Sequence, residues 1–225
     1  MYSIAIDGPA GAGKSTIAKT IAKKLEFIYV DTGALYRTVG LFMLRNGITP
    51  SDGEAVSKEV DSGRVKIDLA FQDGEQKVLL NGEDVTGLIR TPEVSLASSQ
   101  VSAVPKVREF LFSLQKNLAK EHPVIMDGRD IGTVVLPEAQ VKIFLTASPE
   151  ERAKRRCKEL QEKGMEADFD DVLREIKERD YNDSHRVIAP LVPAKDAVFV
   201  DTSSMTLEQA VHAVLDLVKT ALTSN

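Results

Sequence analysis

The sequence has few of the residues that mark secreted or membrane-embedded proteins. Its 225 residues include one cysteine, Cys157, and no tryptophan. A single cysteine excludes an internal disulfide, and no apolar run approaches the ~20 residues that span a bilayer. The first residues also lack the basic and apolar pattern of a secretory signal. We therefore expect a cytoplasmic protein without a membrane partner.

Positive charge is not in excess either. Lysine and arginine number 29 against 34 acidic residues, which gives a net charge of −5 at pH 7. This balance argues against a broad nucleic-acid-binding surface, so we expect no nucleic-acid partner, although a local basic cleft remains compatible. The histidines at 122, 185 and 212 form neither a metal-binding nor a catalytic-triad pattern. The oligomeric state has no direct signature, and a monomer is our expectation.

Five short apolar runs predict β-strands, and helical patterns separate them. The strands are expected at residues 3–7, 27–30, 124–127, 141–146 and 197–201. Helical patterns cover residues 17–25, 107–119, 148–164, 169–183 and 206–222. Because the strands are apolar throughout but end in polar residues, they predict a five-stranded parallel sheet with helices on both faces and chemistry at its carboxyl edge. The fold class is therefore α/β.

One stretch breaks this alternation. "VKIDLAFQDGEQKVLLNGEDVTG" has period-two segments and turn signals at Asp73-Gly74 and Asn81-Gly82, which predict a small antiparallel β insert. We expect a single domain over residues 1–225. Its core would comprise residues 1–61, 91–150 and 184–225, with the insert at about 62–90 and a short lid with its adjoining helix at about 151–183.

The strongest chemical signal follows the first strand. The segment Gly8-Pro9-Ala10-Gly11-Ala12-Gly13-Lys14-Ser15 satisfies G-x-x-x-x-G-K-[ST], with a predicted strand before it and an amphipathic helix after it. Glycines let successive N–H groups turn inward, where they and the helix N-terminus cradle phosphate oxygens. Lys14 would add charge at the transferring phosphate, and Ser15 would offer a hydroxyl to Mg²⁺. With Thr16, this loop is predicted to bind a nucleoside triphosphate.

The loop alone does not distinguish a kinase from a switch GTPase or a water-splitting ATPase. A switch GTPase would normally carry an Asn-Lys-x-Asp motif, but Asn-Lys does not occur in the sequence. The ATPase alternative stays open at this point.

A second set of charged residues lies at or beyond the strand ends. Asp127 ends the third strand and could hold Mg²⁺ through water together with Ser15. Arg129 follows a flexible glycine, and Arg37 follows the bend predicted at Thr32 and Gly33. Both arginines could instead be solvated turn or surface residues.

Two helical segments carry further arginines. Arg179, Asp183 and Arg186 would share one face if their helix persists, although these residues taken alone favour an exposed Arg–Asp pair. Arg152, Arg155 and Arg156 could meet the phosphates of ATP from a lid, or could form a solvated basic face. Together the arginines indicate two anion sites, as in-line phosphoryl transfer between nucleotides requires. Within that scheme we assign catalytic roles to Lys14, Asp127, Arg129 and Arg186.

The sequence resembles the bacterial-type cytidylate kinases, a branch of the nucleoside monophosphate kinases. The motifs that carry the resemblance span nearly the whole chain: "DGPAGAGKST", "DTGALYR", "GEDVTGLIRTPEVS", "SSQVSAVPKVRE", "DGRDIGTVV", "VKIFLTAS", "EIKERD" and "APLVPA". The resemblance implies a P-loop nucleoside monophosphate kinase fold and transfer of the γ-phosphoryl group of ATP to CMP or dCMP.

Site residues follow from the same resemblance. It implies that Ser99, Arg108 and Asp130 read cytosine. Arg37, Arg129 and Arg186 would hold the monophosphate, Arg179 and Asp183 would lie near the sugar, and Thr32 stands where the family has Ser or Thr. ATP contacts are expected from residues 8–16, Arg152 and Arg156. Without the resemblance, Ser99 would read as part of a small-residue stretch and Arg108 as a surface charge. A small-molecule P-loop kinase and a nucleotide-dependent switch remain as alternatives.

Overall fold

The computed structural model describes residues 1–72, 75–162 and 164–223, so the predicted turn at Asp73-Gly74 lies outside the described residues. Chain contacts divide the protein into two compact units. The loop unit comprises Tyr2–Phe27 and Ile125–Asn225 and carries the glycine loop. The insert unit comprises Ile28–Val124, with Met1. The division into core, insert and lid stays a prediction.

In chain order the elements are β1 (Ser3–Asp7), α1 (Lys14–Leu25), β2 (Ile28–Asp31), α2 (Thr32–Arg45), α3 (Gly53–Asp61), β3 (Ile67–Gln72), β4 (Glu75–Leu80), β5 (Glu83–Asp84), α4 (Pro92–Val101), α5 (Pro105–Glu121), β6 (Val124–Gly128), a π-helical turn (Ile131–Val135), β7 (Val141–Thr146), α6 (Pro149–Glu162), α7 (Phe169–His185), β8 (Val198–Asp201) and α8 (Leu207–Thr223). Among the described residues, no helix combines the length and apolarity that a membrane crossing requires.

Five strands form one sheet in the order β2-β6-β1-β7-β8, which confirms the predicted fold class. β7 runs parallel to both β1 and β8, with Ile4 opposite Val141 and Ile143 opposite Val198. All five predicted strands are present, with ends within one residue of those expected. The carboxyl ends of β1, β7 and β8 thus share one edge, from which the glycine loop departs.

The antiparallel insert is present as a second sheet, in the order β3-β4-β5. Its two-residue hairpin between β4 and β5 places Asn81 at φ 51° and Gly82 at φ 89°. Two successive left-handed residues are the signature of a type I′ turn, which matches the right-handed twist of the strands it joins. The Asn-Gly turn signal is confirmed.

The helix starts predicted at residues 148, 169 and 206 are confirmed, whereas α1 begins at Lys14, three residues before the predicted pattern. Ser148 caps α6 by accepting a hydrogen bond from the Glu151 amide at 3.2 Å. Before α8, Thr206 and Gln209 bond reciprocally: the Thr206 amide donates to Gln209 Oε1, and the Gln209 amide donates to Thr206 Oγ1. These caps satisfy N–H groups that have no partner within the helix.

In the insert unit, the expected bend at Thr32 and Gly33 is instead the first turn of α2. Asp31 is its N-cap and accepts a hydrogen bond from the Ala34 amide at 2.9 Å. A carboxylate in this position satisfies a helix N–H group and interacts favourably with the helix dipole, so the helix starts directly after β2. Helices α2, α3 and α4 were not among the helical segments predicted from the sequence.

Close helix packing explains the small residues of α4. A Cβ atom on Gly40 of α2 would lie 3.0 Å from the backbone nitrogen of Ser98 and 3.1 Å from the Cβ atom of Ala97. Small side chains on both helices therefore let α2 and α4 approach closely. The stretch that looked nonspecific in the sequence is a packing surface.

We predict that Gly40→Ala lowers the free energy of unfolding by about 1–3 kcal/mol, because the added methyl group must displace α4. Chemical denaturation would measure this, with Gly87→Ala as the control, since a Cβ atom at Gly87 meets nothing within 4 Å. Helix propensity alone would stabilise the Gly40 variant by about 1 kcal/mol. A stabilised variant would therefore contradict the packing argument.

Candidate active site

The glycine loop joins β1 to α1, and three of its residues have positive φ angles, which glycine adopts more readily than other residues. φ is 147° at Gly8, 76° at Gly11 and 92° at Gly13. A Cβ atom on Gly8 would lie 1.9 Å from the carbonyl oxygen of Leu145, so no other residue fits there without rearrangement. The loop leads directly into the N-terminus of α1, whose unpaired N–H groups favour an anion.

Lys14 is buried at the start of α1. Its Nζ atom donates a hydrogen bond to the Pro9 carbonyl oxygen at 2.8 Å, which holds the ammonium group within the loop. Burial, reinforced by the charge of Arg129, lowers the pKa of Lys14 to about 7, although Asp127 and Asp7 act in the opposite direction. The lysine is therefore poised to change its protonation state near neutral pH.

Ser15 and Asp127 lie together, as the magnesium hypothesis requires. The Ser15 hydroxyl donates to Oδ2 of the buried Asp127 carboxylate at 2.8 Å. The described part of the chain contains no group of three or more histidine, cysteine or acidic side chains that could hold a metal ion. Two hard oxygen donors fit Mg²⁺, which usually keeps several waters and takes its other ligands from phosphates.

Asp7 ends β1 and is bound by the π-helical turn. Its Oδ1 and Oδ2 atoms accept hydrogen bonds from the Ile131 and Gly132 amides at 2.8 and 2.7 Å. Burial raises the pKa of Asp7 to about 6, although the two amides act to lower it. Such a turn is rare and aims successive N–H groups at one carboxylate.

Arg129 and Asp183 form an ion pair in the loop unit. Nε of Arg129 donates to Oδ2 of Asp183 at 2.8 Å, and both side chains are largely buried. Burial would raise the pKa of Asp183, but the charges of Arg129, Arg179 and Arg186 lower it below its ordinary value. Asp183 is thus an ionised carboxylate that orients arginine, rather than half of an exposed helical pair.

Arg186 lies one residue beyond the end of α7, so it does not continue the helical face of Arg179 and Asp183. Its backbone is extended at φ −63° and ψ 143°. Its Nε atom donates to the Ala189 carbonyl oxygen at 2.5 Å, and its Nη2 atom lies 3.5 Å from Oδ1 of the buried Asp130. The extended backbone brings Arg186 to Asp130.

Arg152 packs against the glycine loop and does not lie on a solvated helix face. It is buried and donates from Nη1 to the Ala10 carbonyl oxygen at 3.0 Å and from Nε to the Ala147 carbonyl oxygen at 2.9 Å. Asp180 of α7 completes its environment as an ion-pair partner. Arg152 therefore supports the loop backbone from below.

The other two arginines of α6 have different partners. Arg155 donates from Nη2 to the Thr202 carbonyl oxygen at 2.7 Å. Arg156 pairs with Glu159 at 3.0 Å on the exposed face of the helix. The three arginines thus differ in burial, and the expected ATP contact of Arg156 stays a prediction.

In the insert unit, Asp31 organises the start of α2. Besides capping the helix, its carboxylate accepts hydrogen bonds from Nη2 of Arg37 at 2.9 Å and from Nη2 of Arg90 at 2.9 Å. Thr32 is buried beside it. A Cβ atom on Gly33 would lie 3.2 Å from Oδ1 of Asp31, so glycine leaves room for the cluster.

Arg108 is buried in the insert unit, unlike the surface charge that its sequence context suggested. Its guanidinium carbon lies 5.7 Å from the centre of the Tyr36 ring, and its Nη1 atom donates to the Ser102 carbonyl oxygen at 3.3 Å. Ser99 is half-buried on α4. The remaining acceptor residues expected from the sequence, Arg129, Asp130, Arg179, Asp183 and Arg186, belong to the loop unit.

Four organising residues were missed by the sequence analysis: Asp7, Asp31, Arg90 and Asp180. The first two carried a signal, because each is an acidic residue that ends an apolar run. Arg90 and Asp180 carried none, since each resembles an ordinary surface charge in its local sequence.

The sheet, the glycine loop and the buried lysine define a P-loop nucleotide-binding protein. The cytidylate kinase family matches residues 4–220 of the chain. A cytidylate kinase of Caldicellulosiruptor saccharolyticus is 53% identical over 96% of this chain and 94% of its own, and one of Clostridium botulinum strain Langeland is 50% identical over 96% and 97%. The chain belongs to the cytidylate kinase family, as the sequence resemblance indicated.

Among solved structures, an uncharacterized protein from Eubacterium ventriosum ATCC 27560 aligns over the full length of both chains with a TM-score of 0.52. Its sequence identity is 12%, so the likeness concerns the fold alone.

We predict that the carboxyl group of Asp7 titrates with a midpoint near pH 6. The folded-state pKa lies above the ordinary value of 3.8, so its stabilising contribution is present below about pH 4 and is lost as the pH rises through 6. Carboxyl ¹³C shifts would measure the titration, with Asp7→Asn identifying the resonance. A midpoint below pH 4 would contradict the assigned effect of burial.

Proposed function

We propose that this protein transfers the γ-phosphoryl group of ATP to CMP or dCMP, giving ADP and CDP or dCDP, in pyrimidine nucleotide metabolism. The observation that carries the proposal is the Lys14 ammonium group buried inside a glycine loop whose backbone admits no side chain at Gly8. Membership of the cytidylate kinase family supports the choice of acceptor.

The donor side is assigned to the loop unit. ATP phosphates would lie against the loop of residues 8–16, whose N–H groups, except at Pro9, are available as donors, with Lys14 neutralising charge on the transferring group. Arg152 and Arg156 are proposed to contact ATP, and Arg152 also donates to the Ala10 carbonyl oxygen of the loop. Mg²⁺ would be held by Ser15 and, through water, by Asp127. When bound, the ion neutralises charge on the phosphates.

Recognition of cytosine is assigned to three side chains of different chemistry. The Asp130 carboxylate would accept a hydrogen bond from the exocyclic amine. The Arg108 guanidinium would donate to the ring acceptors, with the Ser99 hydroxyl as a further partner. Uracil offers an acceptor in place of the amine, so a carboxylate at that position disfavours it.

The remaining acceptor residues are assigned to phosphate and sugar. Arg37, Arg129 and Arg186 would bind the monophosphate, because guanidinium groups match phosphate oxygens in pairs. Arg179 and Asp183 would bind the sugar, and Thr32 is assigned to the acceptor nucleotide.

Catalysis in this scheme consists of positioning and charge neutralisation. A phosphate oxygen of CMP attacks the γ-phosphorus in line, the bond to the bridging oxygen of ATP breaks, and ADP leaves with the electron pair. Lys14, Arg129 and Arg186 stabilise the charge that spreads over the transferring group. The acceptor is already an anion, so no covalent intermediate is required. We further propose that the enzyme acts as a cytoplasmic monomer.

We predict that CMP and dCMP are phosphorylated with kcat/KM at least about tenfold above UMP and AMP in a coupled ADP-release assay. Asp130→Asn should narrow the CMP-to-UMP ratio about tenfold or more, because an amide can donate to uracil. A change in phosphate binding through Arg186 would affect CMP and UMP equally, since both nucleotides carry the same phosphate. The ratio of their kcat/KM values therefore reports recognition of the base.

Two results would contradict this function. An unchanged CMP-to-UMP ratio in Asp130→Asn would remove Asp130 as the reader of the base. ATP hydrolysis without turnover of any monophosphate would favour a nucleotide-dependent switch or ATPase over a kinase.

We predict that ATP binding takes up close to one proton at pH 8. Free Lys14, with a pKa of about 7, is mostly neutral at that pH, and a bound polyphosphate would raise its pKa and restore its charge. The affinity for ATP should accordingly fall as the pH rises above 7. Calorimetry in two buffers of different ionisation enthalpy measures the uptake.

Lys14→Arg is the matched control for this measurement. Arginine stays charged at pH 8, so proton uptake should disappear in this variant. Equal uptake by both proteins would assign the proton to another group.

A further inference from the structure

Arg90 occupies a position that the proposed function leaves without a role. It is the last residue of the predicted insert, and its side chain is 62% exposed. Nevertheless its Nη2 atom lies 2.9 Å from Oδ2 of Asp31, whose side chain is 7% exposed. An exposed guanidinium group is thus tethered at one end to a buried carboxylate.

The same carboxylate holds Arg37. Two guanidinium groups therefore share one carboxylate, and this three-residue cluster carries a net charge of +1. Nε of Arg37 is buried and has no hydrogen-bond partner among the described residues. An ordinary surface ion pair contributes little to stability and pairs its charges one to one. This cluster instead has donors in excess of acceptors.

The insert is also tied to this cluster through its β4 strand. The Asp31 amide donates to Oε1 of Gln76 at 2.8 Å, and Nε2 of Gln76 lies 3.4 Å from the Asp31 carbonyl oxygen. One side-chain amide thus brackets the backbone of the residue whose carboxylate holds both arginines. Gln76 fixes the position of Asp31 without contacting the arginines through any described hydrogen bond.

From this geometry we infer that Arg90 is a second phosphate-binding guanidinium group beside Arg37, and that Gln76 is a positioning residue for the pair. The inference rests on the proposed function, because the ligand it assigns is the monophosphate group of the acceptor nucleotide. That group is a dianion near neutral pH and offers three acceptor oxygens. Two guanidinium groups with one shared carboxylate complement it in charge and in donors.

The insert therefore contributes to acceptor binding in two ways. Its last residue supplies a donor to the acceptor phosphate, and its β4 strand sets the position of the carboxylate that aims that donor. A purely structural role for the insert would not require an exposed arginine to bind Asp31, which is buried and already paired with Arg37.

The test compares Arg90→Ala with Arg45→Ala. Arg45 also lies in the insert unit and pairs with Glu83 of the insert at 2.6 Å, so its variant controls for the loss of one charge and one contact to the insert. Arg90→Ala should raise KM for CMP about tenfold to a hundredfold, as expected for lost hydrogen bonds to a charged group. KM for ATP should stay within about twofold in both variants, and Arg45→Ala should leave both constants unchanged.

Cytidine separates phosphate binding from a structural effect, since it carries the base and sugar alone. Its inhibition constant against CMP should be the same for the wild type and Arg90→Ala. Equal losses for cytidine and CMP, or an unchanged KM for CMP, would overturn the inference while leaving the kinase function intact. A wild type that turns over no CMP would instead overturn the proposed function, and this inference with it.

Gln76→Ala tests the positioning role by a double-mutant cycle. It should raise KM for CMP less than Arg90→Ala does and leave KM for ATP unchanged. Because both residues act through Asp31, their effects should not add in the double variant. Additive effects would show that Gln76 acts independently of Arg90.

Discussion

The burial of the Lys14 ammonium group is the interaction on which the rest of the loop unit depends. A charge removed from water is costly unless neighbouring groups compensate it. Here the compensation is partial: the Pro9 carbonyl oxygen accepts its hydrogen bond, and Asp7 and Asp127 supply opposite charge, while Arg129 opposes it. The result is a cation whose stabilisation is incomplete until an anion arrives. A bound polyphosphate would supply the negative charge that completes this stabilisation. A preorganised site favours its ligand in this way.

Buried carboxylates at the ends of elements have the complementary role. Asp7 holds the π-helical turn, Asp31 holds the start of α2 with two arginines, and Asp183 holds Arg129. None of these three needs to touch a reacting atom. Asp31 and Asp183 fix guanidinium donors whose direction would otherwise be set by flexible side chains, and Asp7 fixes two backbone amides. Rigid donors matter because phosphoryl transfer gains most of its rate from positioning and charge neutralisation.

The sequence predicted those parts of the protein whose signal is local. Strand ends, the Asn-Gly turn and the start of the last helix follow from short-range patterns, and the glycine loop follows from backbone conformations that glycine favours. Arg108 shows where this fails: a helix-surface pattern cannot reveal that Tyr36 and the Ser102 carbonyl lie beside the guanidinium group. The environment of Arg152 could not be predicted for the same reason, because its partners Ala10 and Asp180 are far away in sequence.

Small residues form a third class, whose structural role is only partly evident from the sequence. "SLASSQVS" lacks a strong helical period, yet it lies in α4, which packs closely against α2 at Gly40. Tight packing leaves little freedom for either helix to shift. α2 carries Arg37 and α4 carries Ser99, so a composition that looks uninformative fixes the spacing of two residues expected to bind the acceptor. The lack of a side chain is thus required at Gly8, Gly33 and Gly40. At each of these positions a Cβ atom would occupy space that the backbone or a guanidinium group requires.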